Sequence, residues 1–281
     1  MIKPEDVTVI IPHLGATKEQ HYAFNQCWIS LRETVPNIKI IVAKNGLEAL
    51  GEPIPIDFYD HAEKIALSRQ GQCAATNAAA ATVNTPWIFV TNDDMVYAPG
   101  WFEQLTNFQN FGDLMCVSPK LVEPRKGAPT FLEYFCGGAG GDFDKQKWLE
   151  FAKKYISSEL IQTGFNLPFL ISKELWNLIE GYDINYDEWG SNSDSDLEYK
   201  IRLAGVQPYQ NTNCIVYHFS QTSGTFNPEN QSHWQKNWDY FIEKWGFPRT
   251  DDGIWEANFH MPTKEEGRVF LPDWEGKYAS S

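Results

Sequence analysis

Short β-branched runs alternate with stretches of helical periodicity through roughly the first hundred residues, and this alternation narrows the possible folds most. Residues 7–12 read Val-Thr-Val-Ile-Ile-Pro, a run apolar on both faces and closed by proline, as expected of a buried parallel strand. Apolar positions recur at helical spacing over 18–34. A second strand is expected over 38–43, closed by Asn45-Gly46. An alanine-rich helix is expected over 68–83, and a further buried strand over 87–90. Strands joined through helices pair in parallel by right-handed crossovers, and ligand groups collect at the carboxyl ends of the strands.

The strand over 87–90 stops abruptly at Asn92-Asp93-Asp94, and a Pro-Gly turn leads to a helix starting near Trp101. Adjacent carboxylates repel unless they are solvated or share a cation. The window therefore has two readings. One is a solvated turn that caps the helix. The other is an oxygen site for Mg²⁺ or Mn²⁺, completed by substrate phosphates.

The second half is more mixed. Gly137-Gly138-Ala139-Gly140-Gly141 reads as a flexible loop. Helices are expected over 145–160, 173–179, 196–203 and 232–245, and strands over 167–171 and 215–219. The tail over 248–281 has little periodicity and reads as a wrap or lid. The simplest partition is a single α/β unit over 1–225, with a nucleotide half at 1–110 and an acceptor half at 111–225. Residues 226–281 then pack on it as a helix and tail.

Composition removes several classes. A net charge of −14 opposes an extended nucleic-acid-binding surface and electrostatic docking on anionic membranes. Five scattered cysteines without CxxC spacing argue against a zinc knuckle or disulfide framework. Met1-Ile-Lys-Pro-Glu-Asp6 lacks the pattern of a secretory leader, and no window is apolar enough to span a membrane. A cytoplasmic location is expected.

Three further elements carry potential chemistry. The acidic loop from Asp183 through Trp189-Gly190 to Asp196 either caps a helix or offers Asp194 as general base, with the Trp189 indole as a sugar platform. His218 ends an apolar strand, either as a hydrogen-bonded structural residue or as a metal ligand if the fold brings it beside Asp94. The segment Ser68-Arg69 to Asn77 is either an ordinary helix start or a phosphate and ribose contact.

Taken in order, these segments resemble glycosyltransferase family 2, the inverting GT-A enzymes, and especially its rhamnosyltransferase-like branch. The first strand, the Gly71-to-Asn77 segment, Asn92-Asp93-Asp94 followed by Pro99-Gly100-Trp101, the pair Gly181-Tyr182-Asp183 and Ser193-Asp194-Ser195-Asp196, and the late His218 carry the resemblance. It implies a GT-A fold with a Rossmann-like, mainly parallel sheet, and transfer of a sugar from a nucleoside diphosphate donor to a hydroxyl acceptor. Asp94 and His218 would hold Mn²⁺ or Mg²⁺, Asn92 stands for the first acid of the DxD motif, and Asp194 falls on the catalytic base. Pro12, His13, Asn45, Arg69, Asn77, Asn92 and Asp93 would contact the nucleotide sugar, with Asp93 facing ribose or solvent. Trp189 and Gly190 would form the sugar platform. A UDP-sugar is the leading donor, with GDP- or dTDP-sugars as alternatives. The acceptor would be a saccharide or another hydroxyl compound, and a nucleic acid is least favoured.

Two departures stand out: Lys44 occupies the usual acidic position beside the nucleobase, and Ser193 replaces the usual Glu before Asp194. Two other functions compete with this reading. One is a catalytically silent sugar- or nucleotide-binding module on the same fold. The other is a metal-dependent nucleotidyltransferase, against which Pro12-His13-Leu-Gly-Ala-Thr-Lys18 lacks a glycine-rich basic phosphate loop.

Overall fold

The computed structural model describes residues 2–45, 62–67, 71–107, 114–125, 131–157, 161–186, 189–220, 222, 224 and 227–245, with backbone alone for 62–67 and 161–163. Arg69, Gly46 and the tail over 248–281 lie outside these residues.

Three N-terminal strands form as expected, β1 (Val7–His13), β2 (Lys39–Asn45) and β4 (Trp87–Val90), and an unforeseen strand, β3 (Ala62–Leu67), joins them; all are parallel, in the order β3-β2-β1-β4. Helices α1 (Lys18–Thr34) and α2 (Gly71–Thr82) make crossovers between them. Thr17 caps α1 by accepting from the Gln20 amide at 3.2 Å.

Beyond β4 the sheet becomes mixed. β9 (Phe169–Ser172) inserts antiparallel between β4 and β6 (Cys116–Glu123). β6 then pairs in parallel with β10 (Tyr209–His218), and β5 (Met95–Tyr97) runs antiparallel to β10 at the edge. Two short strands, β7 (Leu132–Glu133) and β8 (Ile161–Thr163), pair with β6 and β10 and bring the sheet among the described residues to ten strands. No described helix is long and apolar enough to cross a membrane.

Side chains alternate across the sheet with period two, so each face acquires its own core. Val7, Val9 and Ile11 of β1 pack against Phe24, Cys27, Trp28 and Leu31 of α1, together with Trp101 and Phe102 of α3 (Trp101–Thr106). Ile10 of β1 faces the other way, toward the alanines of α2, Leu175 and Trp176 of α5 (Lys173–Leu178), α6 (Ser193–Leu203) and α7 (Gln231–Trp245). A third cluster under α4 (Lys145–Lys154) is anchored by fully buried Trp148 against Tyr217. Truncating so large a buried indole costs about 3–5 kcal/mol.

Several boundaries depart from expectation. Helix α4 stops at Lys154 and not at 160, because Tyr155 turns to an extended conformation with ψ 125°. Helix α6 starts at Ser193, three residues early, after Asn192 takes a left-handed φ of 64°. Strand β10 begins at Tyr209 and not at 215. The glycine run is a hydrogen-bonded loop: Tyr217 Oη donates to Gly137 O at 2.6 Å, and the Gly138 amide donates to Asp142 Oδ1 at 2.8 Å. A Cβ on Gly137 would lie 2.3 Å from the Asp142 carbonyl oxygen. All five cysteines are buried thiols.

Candidate active site

Asp94 closes the turn after β4 and directly precedes β5. Because β5 runs antiparallel to β10, with Met95 opposite His218, the last residue of β10 lands beside Asp94. The Phe219 amide donates to Asp94 O at 3.0 Å, which fixes that register. His218 Nε2 lies 3.3 Å from Asp94 Oδ2, and Thr222 Oγ1 donates to the same oxygen at 2.8 Å. Asp94 Oδ1 is buried without a hydrogen-bond partner. On its far side, His218 Nδ1 meets Glu123 Oε1 at 2.7 Å. Glu123 ends β6, whose parallel register with β10 sets Val122 opposite Tyr217.

Burial opposes charge on Asp94, yet His218 and the Thr222 hydroxyl hold its carboxyl below the usual range. Burial likewise works against the imidazolium of His218, but the two flanking carboxylates outweigh it and push the ring up to about 10. A carboxylate oxygen without a partner, beside an imidazole nitrogen, is a donor pair suited to a divalent ion. No group of three or more His, Cys, Asp or Glu side chains able to hold a metal occurs among the described residues.

Asp93 turns the other way. Its Oδ2 is 2.5 Å from Nδ1 of buried His13, the last residue of β1. The His13 ring stacks on Phe24 at 4.2 Å, and His13 Nε2 is buried without a partner. Burial pushes the Asp93 carboxyl up and the His13 contact pulls it back only in part. Adjacent acids thus occupy different environments, one set by a strand-end histidine from β1 and the other by one from β10.

Asp194 lies in the first turn of α6, where its Oδ1 accepts from Tyr182 Oη at 2.8 Å. Burial raises its pKa above that of an ordinary carboxyl, with the tyrosine hydrogen bond opposing. Gln72, at the start of α2, joins the two acidic regions. Its Nε2 donates to Asn92 Oδ1 at 3.4 Å, and a Cβ on Gly190 would sit 3.6 Å from Gln72 Cβ. Gly190 holds a φ of +65°, and its carbonyl accepts from the Ser193 hydroxyl at 2.6 Å. Trp189 packs against His233 of α7, with ring centroids 5.6 Å apart.

The remaining nucleotide-side candidates divide. Pro12 pairs with Ala43 inside the parallel β1–β2 ladder. Asn45 ends β2 and its Oδ1 accepts from the Gly71 amide at 3.2 Å, which joins that strand end to the start of α2. Asn77 has both ends of its amide on the main chain of Tyr182, with Nδ2 donating to Tyr182 O at 2.7 Å and Oδ1 accepting from Tyr182 N at 2.9 Å. It therefore ties α2 to the loop that presents the Asp194 partner.

Sequence reasoning passed over Glu123, Thr222 and Gln72. Glu123 carried one signal, an acid directly after the apolar pair Leu121-Val122. Gln72 lay unnamed within the Gly71-to-Asn77 segment, and Thr222 had no signal.

Residues 8–134 match the model of glycosyl transferase family 2. The whole chain is similar in structure to a crystal structure of GalNAc-T7 with UDP, GalNAc and Mn²⁺. The similarity covers 96% of this chain and 55% of that one at 14% identity, with a TM-score of 0.56. It is also similar to residues 1–349 of S. aureus TarS, covering 97% of this chain and 80% of that one at 10% identity and a TM-score of 0.53. The chain thus spans 55% of the length of the GalNAc-T7 structure. No curated protein matches the sequence. The fold is that of the GT-A glycosyltransferases.

Proposed function

We propose that the protein is an inverting, metal-dependent glycosyltransferase that moves a sugar from a nucleoside diphosphate donor to a hydroxyl acceptor. The observation that carries this reading is the pairing through Gln72 of the Asn92-Asp93-Asp94 turn with the Gly190–Asp194 loop. An acid with a bare buried oxygen and a second acid of raised pKa then take separate roles in the reaction. Asp94 and His218 are the residues to hold Mn²⁺ or Mg²⁺. When bound, such an ion neutralises the charge that develops on the diphosphate leaving group. Two protein ligands suit an ion completed by substrate phosphates and water.

Asp194 acts as the general base. Burial raises its proton affinity, and Tyr182 fixes the orientation of the carboxylate that accepts the acceptor hydroxyl proton. His13, Asp93, Asn92, Asn45 and Pro12 line the strand ends where the nucleotide belongs, while Trp189 and Gly190 border the acceptor side. UDP-sugars are the first donors to try, in keeping with the UDP in the GalNAc-T7 structure. The acceptor belongs to the saccharides or other hydroxyl compounds, and five buried thiols suit a reducing cytoplasm.

Asp194→Asn tests the assignment. Turnover should fall by roughly 10²–10⁴-fold while donor binding persists. Unchanged turnover would remove Asp194 from the base role. A nucleotidyltransferase would release pyrophosphate from its nucleoside triphosphate substrate; a glycosyltransferase releases nucleoside diphosphate.

A further inference from the structure

Resting on the proposed function, we infer that Glu123 is a positioning residue of the metal centre, acting through His218. Glu123 is buried, at 4% exposure, at the carboxyl end of β6, and its Oε1 meets His218 Nδ1 at 2.7 Å. A hydrogen bond at Nδ1 assigns that nitrogen as donor and fixes the rotation of the ring. It leaves Nε2 directed at Asp94, 3.3 Å from Oδ2. Thr222 does the complementary work on the acid by bonding Oδ2, so that Oδ1 is the oxygen without a partner. Each expected ligand is therefore held at one atom by a residue that is not itself a ligand, His218 at Nδ1 by Glu123 and Asp94 at Oδ2 by Thr222.

The backbone explains how Glu123 reaches this position. The parallel ladder of β6 and β10 ends with Val122 opposite Tyr217, so the next residue of each strand, Glu123 and His218, faces the same end of the sheet. The Tyr134 amide donates to Glu123 O at 2.9 Å and secures that strand end. Carboxylate–histidine–metal relays are a general device for setting a ligand's tautomer and basicity, and loss of the outer partner typically weakens metal binding by roughly 10- to 100-fold.

The test compares Glu123→Met, which keeps the volume without an acceptor, with Glu123→Gln, which keeps an acceptor oxygen. Mn²⁺ affinity is read from the electron paramagnetic resonance of free Mn²⁺ in the presence of UDP, and UDP affinity is read separately in EDTA. The Met variant should bind Mn²⁺ roughly 10- to 100-fold more weakly, the Gln variant should stay much closer to the unmodified protein, and metal-free UDP binding should not change in either. A Met variant within twofold of the unmodified protein overturns the inference. If the unmodified protein itself binds no Mn²⁺, the failure lies with the metal-dependent reading and not with Glu123. A check that needs no variant is long-range ¹⁵N–¹H correlation of histidine-labelled protein with Mg²⁺ and UDP. The inference requires the His218 proton on Nδ1, and a proton on Nε2 would overturn it.

Discussion

Asp93 and Asp94 show how far neighbouring acids can diverge once tertiary structure supplies their partners. Burial acts on both, but His218 and Thr222 favour charge on Asp94, while Asp93 is left with a carboxyl above the usual range. Burial raises the Asp194 carboxyl as well, against the hydrogen bond from Tyr182. Tyr182→Phe removes that bond. The carboxyl pKa should rise further, so the acid limb of the kcat/KM profile should move to higher pH while the plateau above it is retained. An unmoved acid limb would show that Asp194 does not govern the profile. The family resemblance paired Asp94 with His218 and set Asp194 apart, but it left out the residues around them. The partners that set their chemistry lie 12 to 128 positions away, as Tyr182 to Asp194 and Thr222 to Asp94 illustrate.

Elements were legible where hydrophobic pattern alone decides them. Strands β1 and β4 and helix α1 are apolar in the right period. β6 was not seen because Ser118, Pro119 and Lys120 interrupt its apolar run. The first half of β10 was missed for a related reason. Gln210, Asn211 and Thr212 are polar yet buried, and hydrogen bonds such as Gln210 Nε2 to Pro119 O and Asn211 Nδ2 to Gln104 O satisfy them. No composition rule anticipates a polar strand that buries its amides on another element. Without β6, the role of Glu123 was invisible too.

The acceptor-side elements meet at two sensitive points. Gly181 has a φ of +59°, and a Cβ there would fall 2.5 Å from Asn77 Oδ1 and 2.7 Å from the Trp176 ring. Gly181→Ala should destabilise by about 2–4 kcal/mol through combined strain and overpacking, measurable by urea unfolding. The second point is Lys244 of α7, which reaches both Asp183 and Asp196 at 2.7 Å. Despite the opposing effect of burial, hydrogen bonds from Lys244, the Asn185 amide and Tyr240 hold the Asp183 carboxyl at about 2. A depressed folded-state pKa contributes stability that is present above the ordinary carboxylate pKa and is lost as pH falls toward 2. Lys244→Met should therefore be less stable than the unmodified protein at neutral pH, and the two unfolding curves should converge as pH approaches 2. A constant difference down to that pH would contradict this account of the α7 contact.

At the scale of the whole molecule, alternating strands and helices announced the α/β class, and the order of motifs pointed to the GT-A fold. β9 was foreseen as a strand over 167–171 but its antiparallel place between β4 and β6 was not, and the edge strand β5 was not legible because three residues carry too little period to identify. Yet it is β5 that turns β10 back toward Asp94, so the last step in assembling the site lies in the least legible part of the sheet. The central claim joins that geometry to a nucleotide and an ion, and binding to the folded state must raise its stability. At about a hundredfold excess over Kd a specific ligand contributes about 2.7 kcal/mol, and each kcal/mol raises Tm by roughly 2–4 °C in a domain approaching this size. Thermal unfolding with UDP and Mn²⁺ together should show a rise of several degrees that Asp94→Ala abolishes. Absence of any rise with saturating UDP, GDP or dTDP, in the presence of either Mn²⁺ or Mg²⁺, would contradict the assignment.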